Sequence, residues 1–109
     1  MKIDGIIWLR DIADKLEFKH NVTMEEVEET LNNRPKFRFV EKGERKGEDV
    51  YMALGRTDSG RLLSILFIYK KTKEALILSA QRYGRKREEA IWKKINQRLY
   101  PAQNLSRNL

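Results

Sequence analysis

At 109 residues the chain has room for one hydrophobic core and one domain, and 40% hydrophobic against 36% charged residues suits a folded protein with a densely charged surface. Lysine and arginine number 23 against 16 aspartates and glutamates, a formal charge of +7, so the expected partner is a polyanion, with RNA, DNA and anionic lipid all open on charge alone. The lack of cysteine excludes disulfides, thiolate metal sites and a cysteine nucleophile, and makes the reducing cytoplasm the expected compartment. The longest apolar run, Leu62 to Tyr69, falls far short of the roughly 20 residues that span a bilayer, so no membrane partner is expected.

Ile3 to Trp8 is a candidate short strand. Leu9, Ile12, Ala13 and Leu16 share one face at helical spacing, which predicts a helix from about Leu9 to His20, and Asn21 is suited to a left-handed terminator. A second helix follows. Thr23 and Glu26 have the spacing of a capping box, Val22 and Val27 that of a hydrophobic staple, and Asn32-Asn33-Arg34-Pro35 ends the element.

From Lys36 the period changes to two, with Phe37 and Phe39 on one face of a strand and Lys36 and Arg38 on the other. Glu41 to Glu48, with Gly43 and Gly47, reads as an exposed hairpin connection into a strand in which Val50, Met52 and Leu54 alternate with Tyr51 and Ala53. Asp58-Ser59-Gly60 turns into Arg61 to Tyr69, apolar on both faces and therefore expected in the middle of the sheet. Lys71 to Glu74 turns again into Ala75 to Gln81. Such short connections favour an antiparallel meander. Ile91, Ile95 and Leu99 predict a closing amphipathic helix over about Arg85 to Leu99, stopped by Pro101. The expectation is one α+β domain over residues 1–100, with two N-terminal helices, an antiparallel sheet of about four strands and a C-terminal helix, followed by a tail at 101–109.

Metal chemistry has little to work with. There is one histidine, and Glu25, Glu26, Glu28 and Glu29 fan around a helix, so neither a metal nor another cofactor is expected. Ser59, Ser64 and Ser79 lack a nucleophile elbow that would pair one of them with His20. Basic residues recur near aromatics: Lys19-His20, Arg34 to Arg38 with Phe37, Lys70-Lys71 beside Tyr69, and Arg82 to Arg87 around Tyr83. That is the composition of a nucleic-acid surface, where cations hold phosphate and rings stack on unpaired bases. Each cluster taken singly is also what a solvated surface looks like. Lys19-His20 has two readings, a complement to the negative end of a helix dipole and a proton carrier, since imidazole transfers protons near neutral pH.

Trp8, Lys15, the run Lys19-His20-Asn21-Val22-Thr23 and then Glu25-Glu26-Val27 resemble the opening of the BrnT family of toxins, with its tryptophan, lysine-rich helix, K-H-G-[VI] step and E-E-[AV] helix. Tyr51 to Leu63 and Ala75 to Ala80 resemble the family's later strands, and Arg82 to Arg87 falls at its basic helix start, so the resemblance spans Trp8 to Lys94. It implies a RelE-like fold, an RNA-cleaving activity, and a cognate antitoxin through which alone the protein would meet operator DNA. Three positions depart from the family pattern: Asn21 stands for glycine, Gln81 for the arginine of S-A-R with Arg82 one place later, and Arg87 for an acidic residue with Glu88 one place later.

The expected activity is therefore a metal-independent endoribonuclease toxin. His20 carries protons, Lys19 holds a neighbouring phosphate, and Lys70 and Arg82 stabilise charge on the scissile phosphate. Arg61, Lys71, Tyr83 and Arg85 are the expected RNA contacts, with pairing to Asp58 the alternative role for Arg61. The rival readings are a nucleic-acid-binding module without catalysis, to which Gln81 speaks, and an interaction subunit whose basic face docks an acidic protein.

Overall fold

A computed structural model describes residues 1–82; the expected C-terminal helix, with Tyr83 and Arg85, lies outside the described residues. The elements run β1 (Gly5–Ile7), α1 (Arg10–His20), α2 (Met24–Asn32), β2 (Lys36–Glu41), β3 (Glu48–Arg56), β4 (Leu62–Lys70) and β5 (Glu74–Arg82). Both helices end where local chemistry says they should. The backbone N–H of Asn21, at φ 53° and ψ 44°, closes α1 on the carbonyl of Leu16, and Thr23 and Glu26 form the reciprocal capping box that starts α2.

The five strands lie in the order β1-β5-β4-β3-β2. β2 to β5 are the expected antiparallel meander, with β4 at the centre. The expected four-stranded antiparallel sheet is corrected at its edge, where β1 runs parallel to β5, pairing Ile6 with Ala75 and Ile7 with Leu76. A three-residue strand gives no usable periodicity, and its partner lies nearly seventy residues on; the pairing is decided by the helices, which carry the chain away from β1 before the meander begins.

Leu16 of α1 and Val27 and Leu31 of α2 pack on one face of the sheet against Ala53, Leu63, Ile65, Phe67, Ala75, Ile77 and Ala80. Val22, fully buried between the helices, and Val27 join this core, as the staple spacing requires. Phe67 is its largest side chain. Phe37 meets it edge-on at 6.0 Å and Tyr51 stacks on it at 6.2 Å, while Tyr69 meets Tyr51 edge-on and donates its hydroxyl to the carbonyl of Lys2. Phe37 and Tyr69, expected as surface rings beside lysine and arginine, are thus packed against the core.

On the other face of β3 and β4, Leu54, Leu62 and Ser64 are buried as well, in keeping with a central strand covered on both sides. Gly55 lets α2 approach β3, because a β-carbon there would lie 2.9 Å from Cβ of Pro35 and 3.1 Å from Cγ2 of Thr30. The proline ring is rigid and Thr30 is fully buried, its hydroxyl bonded to the carbonyl of Glu26 at 2.8 Å, so neither yields easily. Gly55→Ala is expected to destabilise the fold by about 1–3 kcal/mol, as overpacking does. Urea unfolding with a lowered midpoint and unchanged slope checks it.

Candidate functional site

β5 carries one extra residue relative to β4. Phe67 pairs with Ile77 and Leu66 with Ser79, so Leu78 is the inserted residue of a β-bulge. Before the bulge Ala75 and Ile77 face the helices; after it Ala80 does so, paired with Ile65, and Arg82 follows opposite Leu63. Gln81, opposite Ser64, points to the other face. Without the bulge the alternation would set Gln81 on the helix side. Arg82 therefore lies on the helix side by virtue of one inserted residue.

Beside the bulge α1 lies against β5. Ile12, Lys15, Leu16 and His20 of the helix and Leu78 and Ser79 of the strand line a cavity of about 190 Å³. Its apolar side is Ile12, Leu16 and Leu78, and Lys15, His20 and Ser79 supply the polar atoms. Lys15 and Ser79 were not expected as site residues. The four-residue spacing of Lys15 with Lys19 on α1 is the signal that was there for Lys15, whereas Ser79 lines the cavity next to the inserted Leu78, a placement that no spacing in the sequence marks.

Arg61 stands one residue before β4 on the same side as Leu63, hence diagonal to Arg82 at about 7–8 Å between backbones. Its guanidinium is engaged: it donates to the carboxylate of Glu26 at 2.5 Å and to the carbonyl of Asn21 at 3.1 Å. Its backbone N–H donates to Thr57 Oγ1 at 3.0 Å. Pairing with Asp58 is thus corrected, since the Asp58 carboxylate accepts from the Asn33 side chain and its backbone N–H donates to Glu29. Arg61 ties the end of α1, the start of α2 and the start of β4 together. Only its Nε, buried and without an acceptor among the described residues, is left over.

The expected cations do not all meet. His20 lines the cavity, Lys19 is exposed beside it in the last turn of α1, and Arg82 is exposed at the end of β5. Lys70 is corrected out of this group. It lies seven residues along β4 from Leu63, about 23 Å from the Arg82 pairing at 3.3 Å per residue, on the face away from the helices. There its Nζ donates to Glu48 Oε2 at 2.9 Å. Lys71 begins the neighbouring turn and its side chain runs over Gly47, whose φ of 81° and lack of a β-carbon admit it, so Lys71 too is at the far end of the sheet. An alternating strand separates its two ends however basic both are.

Acidic residues near α2 are likewise occupied. Glu28 accepts from the Trp8 indole at 3.3 Å, Glu29 from the Asp58 backbone, and Glu26 serves the cap and Arg61. Among the described residues no three His, Asp or Glu side chains converge as a metal site would require, and no helix is long and apolar enough to cross a membrane.

The described chain is thus two helices on one face of a five-stranded mixed sheet, with β1 parallel to β5 at one edge. Among solved structures the chain is similar to the ribonuclease toxin BrnT of Brucella abortus, with a TM-score of 0.55 and 16% identity, covering 74% of this chain and 97% of that one. The expected α+β class with two N-terminal helices on a sheet is borne out, with five strands in place of about four. No protein-family profile and no curated protein matches the chain.

The Lys70–Glu48 contact offers a check on the corrected placement. The Lys70 ammonium, first by its hydrogen bond and then by its charge, holds the Glu48 carboxyl below its ordinary value. A lowered carboxyl pKa adds stability that is present above the unfolded value and is lost as pH falls through the folded one. Lys70→Met is expected to return Glu48 towards the ordinary value in an NMR titration. The small stability difference from the parent should disappear in acid.

Proposed function

We propose that the chain is a cytoplasmic, metal-independent endoribonuclease toxin, neutralised by a cognate antitoxin that alone links it to operator DNA. What carries this reading is the β5 bulge, which sets Arg82 on the side of the sheet where Lys15 and His20 line a cavity. The fold similarity to a ribonuclease toxin supports the choice of RNA as the polyanion.

The substrate supplies its own nucleophile. The 2′-oxygen attacks phosphorus, the new O2′–P bond forms as the P–O5′ bond breaks, and a 2′,3′-cyclic phosphate is left. The 2′-hydroxyl proton goes to His20, and a proton returns from the imidazole to O5′ of the leaving strand. Lys15 and Arg82 stabilise the added charge on the phosphate, Lys15 taking the role that Lys70 is too distant to fill, while Lys19 holds a neighbouring phosphate. Arg61 acts by position, since its bond to the Asn21 carbonyl fixes the backbone next to His20. Tyr83 and Arg85 remain proposed RNA contacts beyond the end of β5.

RNA is expected to be cut in EDTA, and DNA, which lacks the 2′-hydroxyl, to bind and survive. His20→Ala should lower the rate by on the order of 10² to 10⁴ without loss of the fold, and Lys70→Ala should cut like the parent. Loss of RNA cleavage in EDTA, or cutting of an RNA with a single 2′-deoxy position at the scission site, overturns the mechanism. Salt-sensitive RNA binding without cleavage by the parent chain would establish the non-catalytic binding module instead.

A further inference from the structure

α1 has a third face that neither the core nor the cavity uses. Phe18 is 94% exposed, by far the most exposed large hydrophobic side chain among the described residues. At about 100° per residue it projects some 160° away from Leu16, which is buried in the core. Asp14 one turn back, Glu17 beside it and Asp11 a further turn back are all exposed with it, and Asp14, Glu17 and Phe18 line a broad, shallow hollow of about 590 Å³. A phenylalanine left fully in water forgoes about 1.5–3 kcal/mol of burial that a partner would recover.

Charge says what kind of partner. Arg10 to Asn32, the two helices, holds three cations and seven anions, a net −4 in a chain whose total is +7. Phe18 is thus an aromatic ring with three carboxylates, Asp11, Asp14 and Glu17, and one cation, Lys15, around it on an otherwise basic molecule. It cannot serve as a stacking platform for RNA, because a stacked base would bring its phosphate up against Asp14 and Glu17. A protein surface carrying lysines or arginines around an apolar pocket is favoured on both counts, the ring filling the pocket and the carboxylates meeting the cations.

We propose that the outer face of α1 docks a basic segment of a second, different protein, with Phe18 as the anchor and Asp11, Asp14 and Glu17 as its charged rim. Resting on the toxin reading above, this makes the face a seat for the antitoxin that leaves the cavity to be controlled from the opposite flank of the same helix. The partner then need not compete for the phosphate-binding cations. It would act on His20 through the position of α1.

The experiment uses the full chain and, as probe, the purified product of the reading frame next to its gene, with affinity read by calorimetry at low and high salt. Binding that Phe18→Ala weakens on the order of tenfold to a hundredfold is expected. An Asp14→Lys, Glu17→Lys double variant should weaken it similarly and remove most of its salt dependence. Because Phe18 packs on no part of the core, Phe18→Ala should keep the thermal midpoint and the RNA-cutting rate of the parent. Absence of a complex, or equal affinity of parent and Phe18→Ala, overturns the proposal. A parent that sediments as a dimer and becomes monomeric in Phe18→Ala also overturns it, assigning the face to a second copy. Cleavage assays stand apart from these measurements: a parent that binds through Phe18 but cuts no RNA keeps the docking face and sinks the nuclease.

Discussion

Three elements that are far apart in the chain meet at one guanidinium. Arg61 leaves the start of β4 and reaches the Asn21 carbonyl at the end of α1 and the Glu26 carboxylate in the first turn of α2. Glu26 is already committed to the capping box of α2, so the ion pair and the cap hold each other in place. Hydrogen bonds to a charged group contribute about 1.5–3 kcal/mol each where partly buried, and this one also decides orientation. With Arg61 engaged, the two helices cannot rotate on the sheet without breaking it, and the cavity beside His20 keeps its shape.

The second constraint is parity. On a sheet every side chain is assigned a face by its count from the last irregularity, and one inserted residue reverses all that follow. In β5 the insertion at Leu78 places Arg82 with the helices and Gln81 against the opposite face. The inserted Leu78 and its neighbour Ser79 line the cavity under α1. A single irregularity thus sets the side of Arg82, while Lys70 and Lys71 stay at the other end of the sheet beside Glu48 and Gly47.

Charge divides the molecule in a way the total of +7 conceals. The cavity side of α1 carries Lys15 and Lys19, its outer side Asp11, Asp14 and Glu17 around Phe18, and its core side Ile12 and Leu16. One short helix presents a face to the sheet, a face suited to a polyanion and a face that repels one. By this charge division a polyanion is drawn towards the cavity cations and away from the outer face, with a reach set by the screening length of about 10 Å at 0.1 M salt.

The sequence by itself determined everything that depends on neighbours within a few residues. Asn21 as the left-handed end of α1, the Thr23–Glu26 box, the presence and order of β2 to β5 and the central place of β4 all follow from steric and hydrogen-bonding preferences or from alternation, and all stand in the structure, with β3 longer at both ends than its alternation showed. His20 and Arg82 were legible as candidates because residue type and a family resemblance pointed to them. Only the tertiary structure decided which cations share a site. Arg61 finds Glu26 thirty-five residues away rather than the nearby Asp58, β1 joins β5 across most of the described chain, and Phe37 and Tyr69 turn inward to an aromatic ladder. The reason is the same in each case: spacing along a chain specifies the face of an element, but pairing register, bulges and helix docking specify which faces meet, and these are settled by the packing of the whole core.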